Sequence, residues 1–359
     1  MKIVYDNIVY DLQEFGGISS YWFELSRRLL KAQNVDLSFV GSKINKNFLG
    51  SQLDISTDRY LDNIDSSSTF IARFRNPKIK VLDEPFIFHS SYNRYCRNRF
   101  AINVTTVHDF THQFYYFGPR RWIHNLQKYQ SISKSQGIIT VSNNTKKDLL
   151  SILPRIDPDK VFVVYNGVSN DYFKICPRDH KYLVEEKYLE MPYLLYVGSR
   201  SSYKNFRFAV DVIEKFGELN LFIVGSKLSE EELAFLQKKL PGRWYLFESI
   251  GNNYLNELYN HAVGLLYPSS YEGFGIPLLE AMKAGCPFIA LNRSSIPEVA
   301  GDAGVLVEEL NICSFTSAID YLIENREILV KRGFHQVQKF SWEKTYLNTV
   351  KVYKSLFQQ

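Results

Sequence analysis

The chain reads as an α/β protein made of two doubly wound parallel-sheet domains, and three observations carry that expectation. Its 359 residues exceed what one ordinary hydrophobic core organises, so two domains of about 170 residues each are expected. Short apolar runs alternate with amphipathic helical stretches from end to end, the mark of a parallel sheet covered by helices. The alternation breaks near 166–190, where Asn166-Gly167, Cys176-Pro177 and a charged stretch intervene. The expected division is 1–172 and 173–340, with a terminal helix 341–359 packing back on the first domain.

The elements follow in order. Ile3–Tyr5 reads as the first strand. Gly16-Gly17 then opens a helix whose apolar positions Ile18, Tyr21, Trp22, Leu25 and Leu29 share one face. Leu37–Val40 is a strand, and 42–80, polar and low in periodicity, reads as loop or an irregular insertion. Phe86–His89, Val104–His108, Gly137–Val141 and Val161–Tyr165 continue the first series. The second runs Tyr193–Val197, Leu221–Val224, Tyr245–Phe247, Val263–Tyr267 and Phe288–Leu291. The last helix presents Trp342, Tyr346, Leu347, Val350, Tyr353 and Leu356. Such sheets bind ligands at the carboxyl ends of their strands, here in a cleft between domains.

Composition narrows the class. The 45% apolar and 15% aromatic content belongs to a folded globular protein. Cys96, Cys176, Cys286 and Cys313 are widely spaced, which argues against a zinc site or disulfide framework and fits a reducing cytosol. The opening Met1–Asp6 reads as a strand, not a signal peptide. No apolar run approaches the roughly 20 residues that span a bilayer. A cytoplasmic protein is expected, peripheral to a membrane at most.

Charge is unevenly placed. Residues 73–147 hold 13 Lys or Arg against 3 Asp or Glu, interleaved with Tyr92, Tyr95, Phe100, Phe114, Tyr115, Tyr116, Phe117 and Trp122. A solvated basic face is the plain reading. The sharper one is a surface that meets anionic lipid headgroups or a phosphorylated acceptor. No recognition motif accompanies the charge, so nucleic acid is not expected.

The most informative stretch is 265–291. Glu272 and Glu280 bracket a glycine loop that runs into a short helix, with Pro277 suited to its first position and Gly285 just past its end. That places Glu272 in the loop and Glu280 about one turn into the helix. The amides of Gly273, Phe274 and Gly275 sit at the positive helix end, where an anion is stabilised. Carboxylates flanking an anion site suit a phosphate with hydroxyls on either side, as in a nucleotide sugar.

With these residues the chain resembles the retaining glycosyltransferases of family 4, which have the two-domain GT-B architecture. The resemblance covers nearly the whole chain. It rests on Phe15-Gly16-Gly17-Ile18, Val107-His108-Asp109, Val141-Ser142-Asn143-Asn144-Thr145 and Tyr165-Asn166-Gly167-Val168. In the second half it rests on Tyr196-Val197-Gly198-Ser199-Arg200, Tyr203-Lys204-Asn205-Phe206 and the Glu-x7-Glu element. Within the family the chain looks most like bacterial mannosyl- and rhamnosyl-type transferases of cell-surface polysaccharide and lipopolysaccharide synthesis.

The resemblance implies roles. Arg200 and Lys204, after a strand and the Gly198 turn, would neutralise the departing nucleoside diphosphate, with no metal or other cofactor needed. Glu280 would accept from ribose hydroxyls, and Glu272 would contact the donor sugar beside Gly273, Phe274 and Gly275. Gly16 and Gly17 would let backbone amides approach the donor closely. His108 would face the donor sugar, held by Asp109; from its place one short loop on, and not from the resemblance, His112 is with Asp109 a candidate acceptor contact. Gly225, with Ser226, and Ile250 would border the nucleobase. The implied reaction moves a hexose, mannose from GDP-mannose first, to a lipid-linked or oligosaccharide acceptor. A UDP- or dTDP-sugar donor, used by a glucosyl-, N-acetylglucosaminyl- or rhamnosyltransferase, is the alternative.

Several features read structurally. Asn143 and Thr145 belong to a helix start with a side-chain cap, and Ser295-Ile296-Pro297-Glu298 reads as a capping box. Asp157-Pro158-Asp159 has a metal-binding D-x-D form but suits a turn. A nicotinamide-dependent dehydrogenase would need G-x-G-x-x-G after the first strand, where only Gly16-Gly17 occurs. A non-catalytic glycan-binding relative should have lost the basic pair or the two glutamates, and this chain keeps all four.

Overall fold

The structure, a computed structural model, describes residues 1–13, 16–41, 47–61, 73–77, 79, 82–176 and 182–358. Phe15, Pro177 and parts of the stretch 42–80 (42–46, 62–72, 78 and 80) fall outside these residues. The chain divides into two compact units, Met1–Asn166 with Trp342–Gln359, and Gly167–Ser341.

Among its described residues the first unit holds six parallel strands: β1 Lys2–Asp6, β2 Asp36–Val40, β3 Phe86–Ser90, β4 Ala101–Val107, β5 Gly137–Thr140 and β6 Val161–Val163, in the order β2-β1-β3-β4-β5-β6. β3 is buried along its whole length, as expected of a strand covered on both faces. A short helix, Val9–Leu12, lies between β1 and Gly16, which sequence periodicity did not resolve. β4 ends at Val107, so His108 begins the following loop instead of closing the strand.

The terminal helix Trp342–Phe357 packs on this unit, against the helix Gly17–Lys31 and strands β3 and β5. Of the expected face, Trp342, Tyr353 and Leu356 are buried and Tyr346 and Val350 pack partly buried against the core, while Leu347 is exposed and Thr345, Thr349 and Val352 turn inward as well. The buried polar groups find partners. The Tyr353 hydroxyl lies 2.7 Å from the Tyr5 hydroxyl and 2.5 Å from His89 Nδ1, and Thr345 donates to the Tyr165 carbonyl at 2.8 Å. Hydroxyls that pair across the seam let a polar residue stand where periodicity favours an aliphatic one.

The second unit holds β7 Tyr193–Val197, β8 Asn220–Val224, β9 Trp244–Phe247, β10 Gly264–Tyr267, β11 Phe288–Leu291 and β12 Val305–Val307. All pairs are parallel, in the order β12-β11-β10-β7-β8-β9. The short strand β12 was not anticipated. Helix Phe206–Phe216 buries Phe206, Ala209, Val210, Val212 and Ile213 in this unit's core. Each large apolar side chain so buried contributes about 1.5–3 kcal/mol before entropy is subtracted.

Strand order reverses between β7 and β10, since β8 and β9 lie to one side and β11 and β12 to the other. A sheet of this kind offers a crevice beyond the carboxyl ends of its strands at that reversal. In the first sheet the reversal falls between β1 and β3, and a buried ion pair stands there. Arg94 Nε donates to Asp6 Oδ2 at 2.7 Å, Arg94 also bonds Asp6 Oδ1, and the Ser90 hydroxyl donates to Oδ2 at 2.9 Å. Arg94 and Lys128, two of the 13 cations in the basic stretch, are thus internal and not part of a solvated face.

Candidate functional site

The loops leaving β7 and β10 carry most of the expected donor residues. Gly198, at the end of β7, has φ +129°, a conformation open to glycine. It frees the chain to turn, and the single turn Ser202–Lys204 then presents Lys204. Lys204 Nζ donates to Glu272 Oε1 at 2.5 Å, with both side chains largely buried. Asn205 fixes the approach of the two loops. Its backbone is left-handed, and its amide donates to the Pro268 carbonyl at 2.8 Å and the Ser270 hydroxyl at 2.7 Å. Asn tolerates that backbone better than most side chains.

Arg200 lies beside this pair in the same loop. Its Nε donates to Glu232 Oε1 at 2.8 Å and one terminal nitrogen donates to the Lys227 carbonyl at 2.7 Å. The other terminal nitrogen, NH1, is buried with no partner among the described residues. Buried donors are rarely left unmade, so this atom marks a place for an acceptor. Gly225 follows β8 here: a Cβ on it would stand 2.8 Å from the Gly198 carbonyl and 3.3 Å from Arg200 NH1. Glycine at 225 therefore lets Gly198 and the guanidinium close up.

Glu272 is held from its backbone. Its amide donates to the Ser294 hydroxyl at 2.8 Å, while the Ser295 hydroxyl donates to the carbonyls of Glu272 at 2.8 Å and Phe274 at 3.0 Å. Ser295 is therefore no capping-box residue: it precedes the helix Ile296–Ala300 without capping it and staples the Glu272 loop instead. Phe274 is buried and packs edge-on against Phe340 at 5.8 Å, so it anchors the loop by its ring. Gly275 and Gly285, both left-handed, bound the helix Ile276–Ala284. Pro277 is its second residue, one later than expected.

Glu280 lies on that helix, where the Tyr259 hydroxyl donates to Oε2 at 3.0 Å. Burial pushes its carboxyl up to about 7, against the hydrogen bonds from Tyr259 and Tyr172. A carboxylate this poorly solvated gains from hydroxyl donors supplied by a ligand. Ile250, partly exposed, lies in the loop after β9.

The first unit brings together a second group. Gly16 precedes the helix Gly17–Lys31, and its carbonyl accepts from the hydroxyls of Ser19 at 2.8 Å and Ser20 at 3.2 Å. One turn on, Tyr21 packs edge-on against His108 at 5.0 Å. His108 Nε2 is buried without a partner among the described residues. Burial lowers His108 to about 4, so the ring is neutral at pH 7. Asp109 does not hold it by a hydrogen bond: its Oδ1 accepts from the Thr111 amide at 2.9 Å, and its carbonyl accepts from Lys128 Nζ at 2.7 Å. Its influence on His108 is electrostatic. His112 stacks on His124 at 3.9 Å and on Tyr116 at 4.5 Å.

Sequence reasoning missed Glu232, Ser294 and His124, and gave Asn205 no role of its own. Glu232 closes a capping box with Ser229, an S-x-x-E signal that explains it fully until Arg200 is seen on its other oxygen. His124 carried no signal beyond its residue type. Ser142, and not Asn143 or Thr145, caps the helix Asn143–Ile152. Asp157 caps the turn Pro158–Lys160, accepting from the Asp159 amide at 3.0 Å. Among the described residues no three His, Cys, Asp or Glu side chains stand close enough to hold a metal ion.

Two family models match: "Glycosyltransferase Family 4" over residues 15–172 and "Glycosyl transferases group 1" over 181–333. Among curated relatives, the O-antigen chain mannosyltransferase B of Escherichia coli is 28% identical over 76% of this chain and 74% of its own length. The O-antigen chain mannosyltransferase RfbU of Salmonella typhimurium is 29% identical over 66% of this chain and 65% of its own. Sucrose-phosphate synthase from Thermosynechococcus elongatus matches in fold with a TM-score of 0.76, at 17% identity, over 100% of this chain and 99% of that one. HepE of Anabaena, solved with UDP and glucose, matches with a TM-score of 0.73, at 14% identity, over 99% of this chain and 100% of that one. The chain belongs to the glycosyltransferases of the family 4 type, with the GT-B fold.

Proposed function

We propose that this chain transfers mannose from GDP-mannose to a lipid-linked or oligosaccharide acceptor in cell-surface glycan synthesis, with retention at the anomeric carbon and without a metal. The observation that carries the reading is the group at the β7/β10 reversal: Lys204 beside Glu272, with Arg200 NH1 unpartnered nearby. Two fixed cations offer the charge neutralisation that a departing diphosphate needs. Arg200 grips phosphate oxygens as a fork and Lys204 acts as a point charge. Glu280 receives the ribose hydroxyls, and Glu272 orients the donor sugar and Lys204 together.

In this mechanism the bond from the anomeric carbon to the diphosphate oxygen breaks, and the electron pair leaves with the nucleotide. The acceptor oxygen adds on the same face, and its proton passes to the departing phosphate. No protein nucleophile is required. His108, neutral at pH 7, donates or accepts one hydrogen bond to the sugar and carries no charge into the site.

Mannose is favoured by the two O-antigen mannosyltransferase relatives. The acceptor at a membrane is favoured by the basic stretch 73–147, which suits peripheral contact with an anionic inner surface. No described helix is long and apolar enough to cross a membrane. Thermal-shift titration with GDP, UDP and dTDP, followed by turnover assays with the matching sugars, tests the donor. GDP is expected to stabilise the protein most. Stronger stabilisation and turnover with a UDP- or dTDP-sugar would replace GDP-mannose in the same mechanism.

A further inference from the structure

We propose that the start of helix Pro119–Lys134, with the loop before it, is a membrane-docking surface that inserts apolar side chains among anionic lipid headgroups. This deepens the membrane contact proposed above and rests on that reading. Trp122 is 75% exposed, Phe117 81% and Leu126 59%, with Ile123 and Tyr116 also exposed. Trp122 and Leu126 are one turn apart and share a face, with Ile123 at its edge.

The first half of the helix is inverted relative to an ordinary surface helix. Its buried residues include Asn125, Lys128 and Ser131, each with a partner: Asn125 donates to Gln113 Oε1 at 2.7 Å, Lys128 to the Asp109 carbonyl at 2.7 Å, and Ser131 to the Arg94 carbonyl at 3.1 Å. Ile132 in the last turn is buried, but the large apolar side chains of the first half, Trp122, Ile123 and Leu126, are left outside, where a single exposed Leu would be ordinary but a cluster with Trp and Phe is not.

Charge selects the occupant. Residues 110–147 contain no Asp or Glu, and Arg121 stands next to Trp122 in the chain. The exposed Arg75 belongs to a segment tied to this helix, since Gln127 donates to the Arg73 carbonyl at 3.0 Å. Aromatic side chains at headgroup depth, flanked by Arg, form the pattern of an interfacial anchor. A second copy of the chain fits poorly, because a two-fold contact would set the stretch 110–147, which has basic residues and no acidic ones, against itself.

The test uses the full chain, with vesicles of phosphatidylcholine alone or with about one-third phosphatidylglycerol. Wild type should sediment with the anionic vesicles, and more weakly as salt rises. The emission lost in Trp122→Phe should shift to shorter wavelength when vesicles are added. Trp122→Ser combined with Leu126→Ser should lower vesicle affinity about tenfold or more, and Arg75→Glu with Arg121→Glu should remove the preference for anionic lipid. These residues are surface positions, so the variants should keep the wild-type melting temperature and GDP affinity. Equal vesicle binding by wild type and the Trp122/Leu126 variant would overturn the proposal. So would a wild-type dimer that these substitutions dissolve. Wild type that binds GDP but no vesicles would overturn the docking surface and leave the transferase reading standing.

Discussion

Lys204 Nζ and Glu272 Oε1 stand 2.5 Å apart although 68 residues separate them in sequence. Each comes from the loop that follows a strand flanking the reversal of the second sheet, β7 for the lysine and β10 for the glutamate. The pair is thus a product of topology, and it places a cation and a hydroxyl acceptor within one hydrogen bond of each other.

Lys204→Ala should lower kcat by about 2–4 kcal/mol of transition-state stabilisation, the scale of one charge-stabilising group. KM should move less, because the charge matters most as the diphosphate departs. Steady-state kinetics reads both, and unchanged turnover would remove Lys204 from the reaction.

Gly225→Ala should weaken GDP binding and destabilise the second unit by about 1–3 kcal/mol, the usual range for overpacking. The new methyl would stand 2.8 Å from the Gly198 carbonyl, a contact that backbone must move to relieve. Thermal melts with and without GDP separate the two effects.

Glu280 sets one pH dependence. Its carboxyl lies at about 7 in the folded protein against an ordinary value of 4.5. Between these values the folded chain keeps a proton that the unfolded chain has lost, so this group's contribution falls as pH rises from 4.5 to 7. Glu280→Gln should therefore raise stability by about 1–3 kcal/mol at pH 8 and leave it unchanged at pH 4. GDP affinity in the wild type should rise from pH 6 to 8, because ribose hydroxyls favour the ionised acceptor. Melts and titrations across that range check both signs.

The buried histidines act in the opposite direction. Burial holds His108 at about 4 and His124 at about 3, both below the ordinary 6.5. Below 6.5 the unfolded chain takes up protons that the folded chain refuses, so their contribution is present above 6.5 and lost as pH falls toward 4. His108→Ala should reduce this acid sensitivity and lower turnover while leaving GDP affinity unchanged. A matching loss of GDP affinity would contradict its assignment to the sugar side.

Excess EDTA should leave transfer activity intact. Loss of activity with rescue by Mn²⁺ would show that Arg200 and Lys204 do not suffice to neutralise the diphosphate.

Fold class was legible because parallel strands are continuous apolar runs, and β3, β10 and β11 are buried throughout. β12 was not, since Val305–Val307 is too short to separate from its surroundings. The Glu272–Glu280 element was legible from glycine and proline punctuation, and the structure bears out the helix that it bounds. The partners of these groups were not. Glu232 and Ser295 each match a local capping pattern, yet Glu232 also reaches Arg200 and Ser295 holds the Glu272 loop. Local pattern cannot register a contact made across strands. The polar part of the last helix's inward face was missed for a related reason, because Thr345 and Thr349 are buried by hydrogen bonds that hydropathy does not count.

The most direct test is a crystal structure of the protein with GDP-mannose. Diphosphate oxygens are expected within hydrogen-bond distance of Arg200 NH1 and Lys204 Nζ, with the ribose hydroxyls on Glu280. A nucleotide bound away from the carboxyl ends of β7 and β10, touching none of those three side chains, would contradict that arrangement.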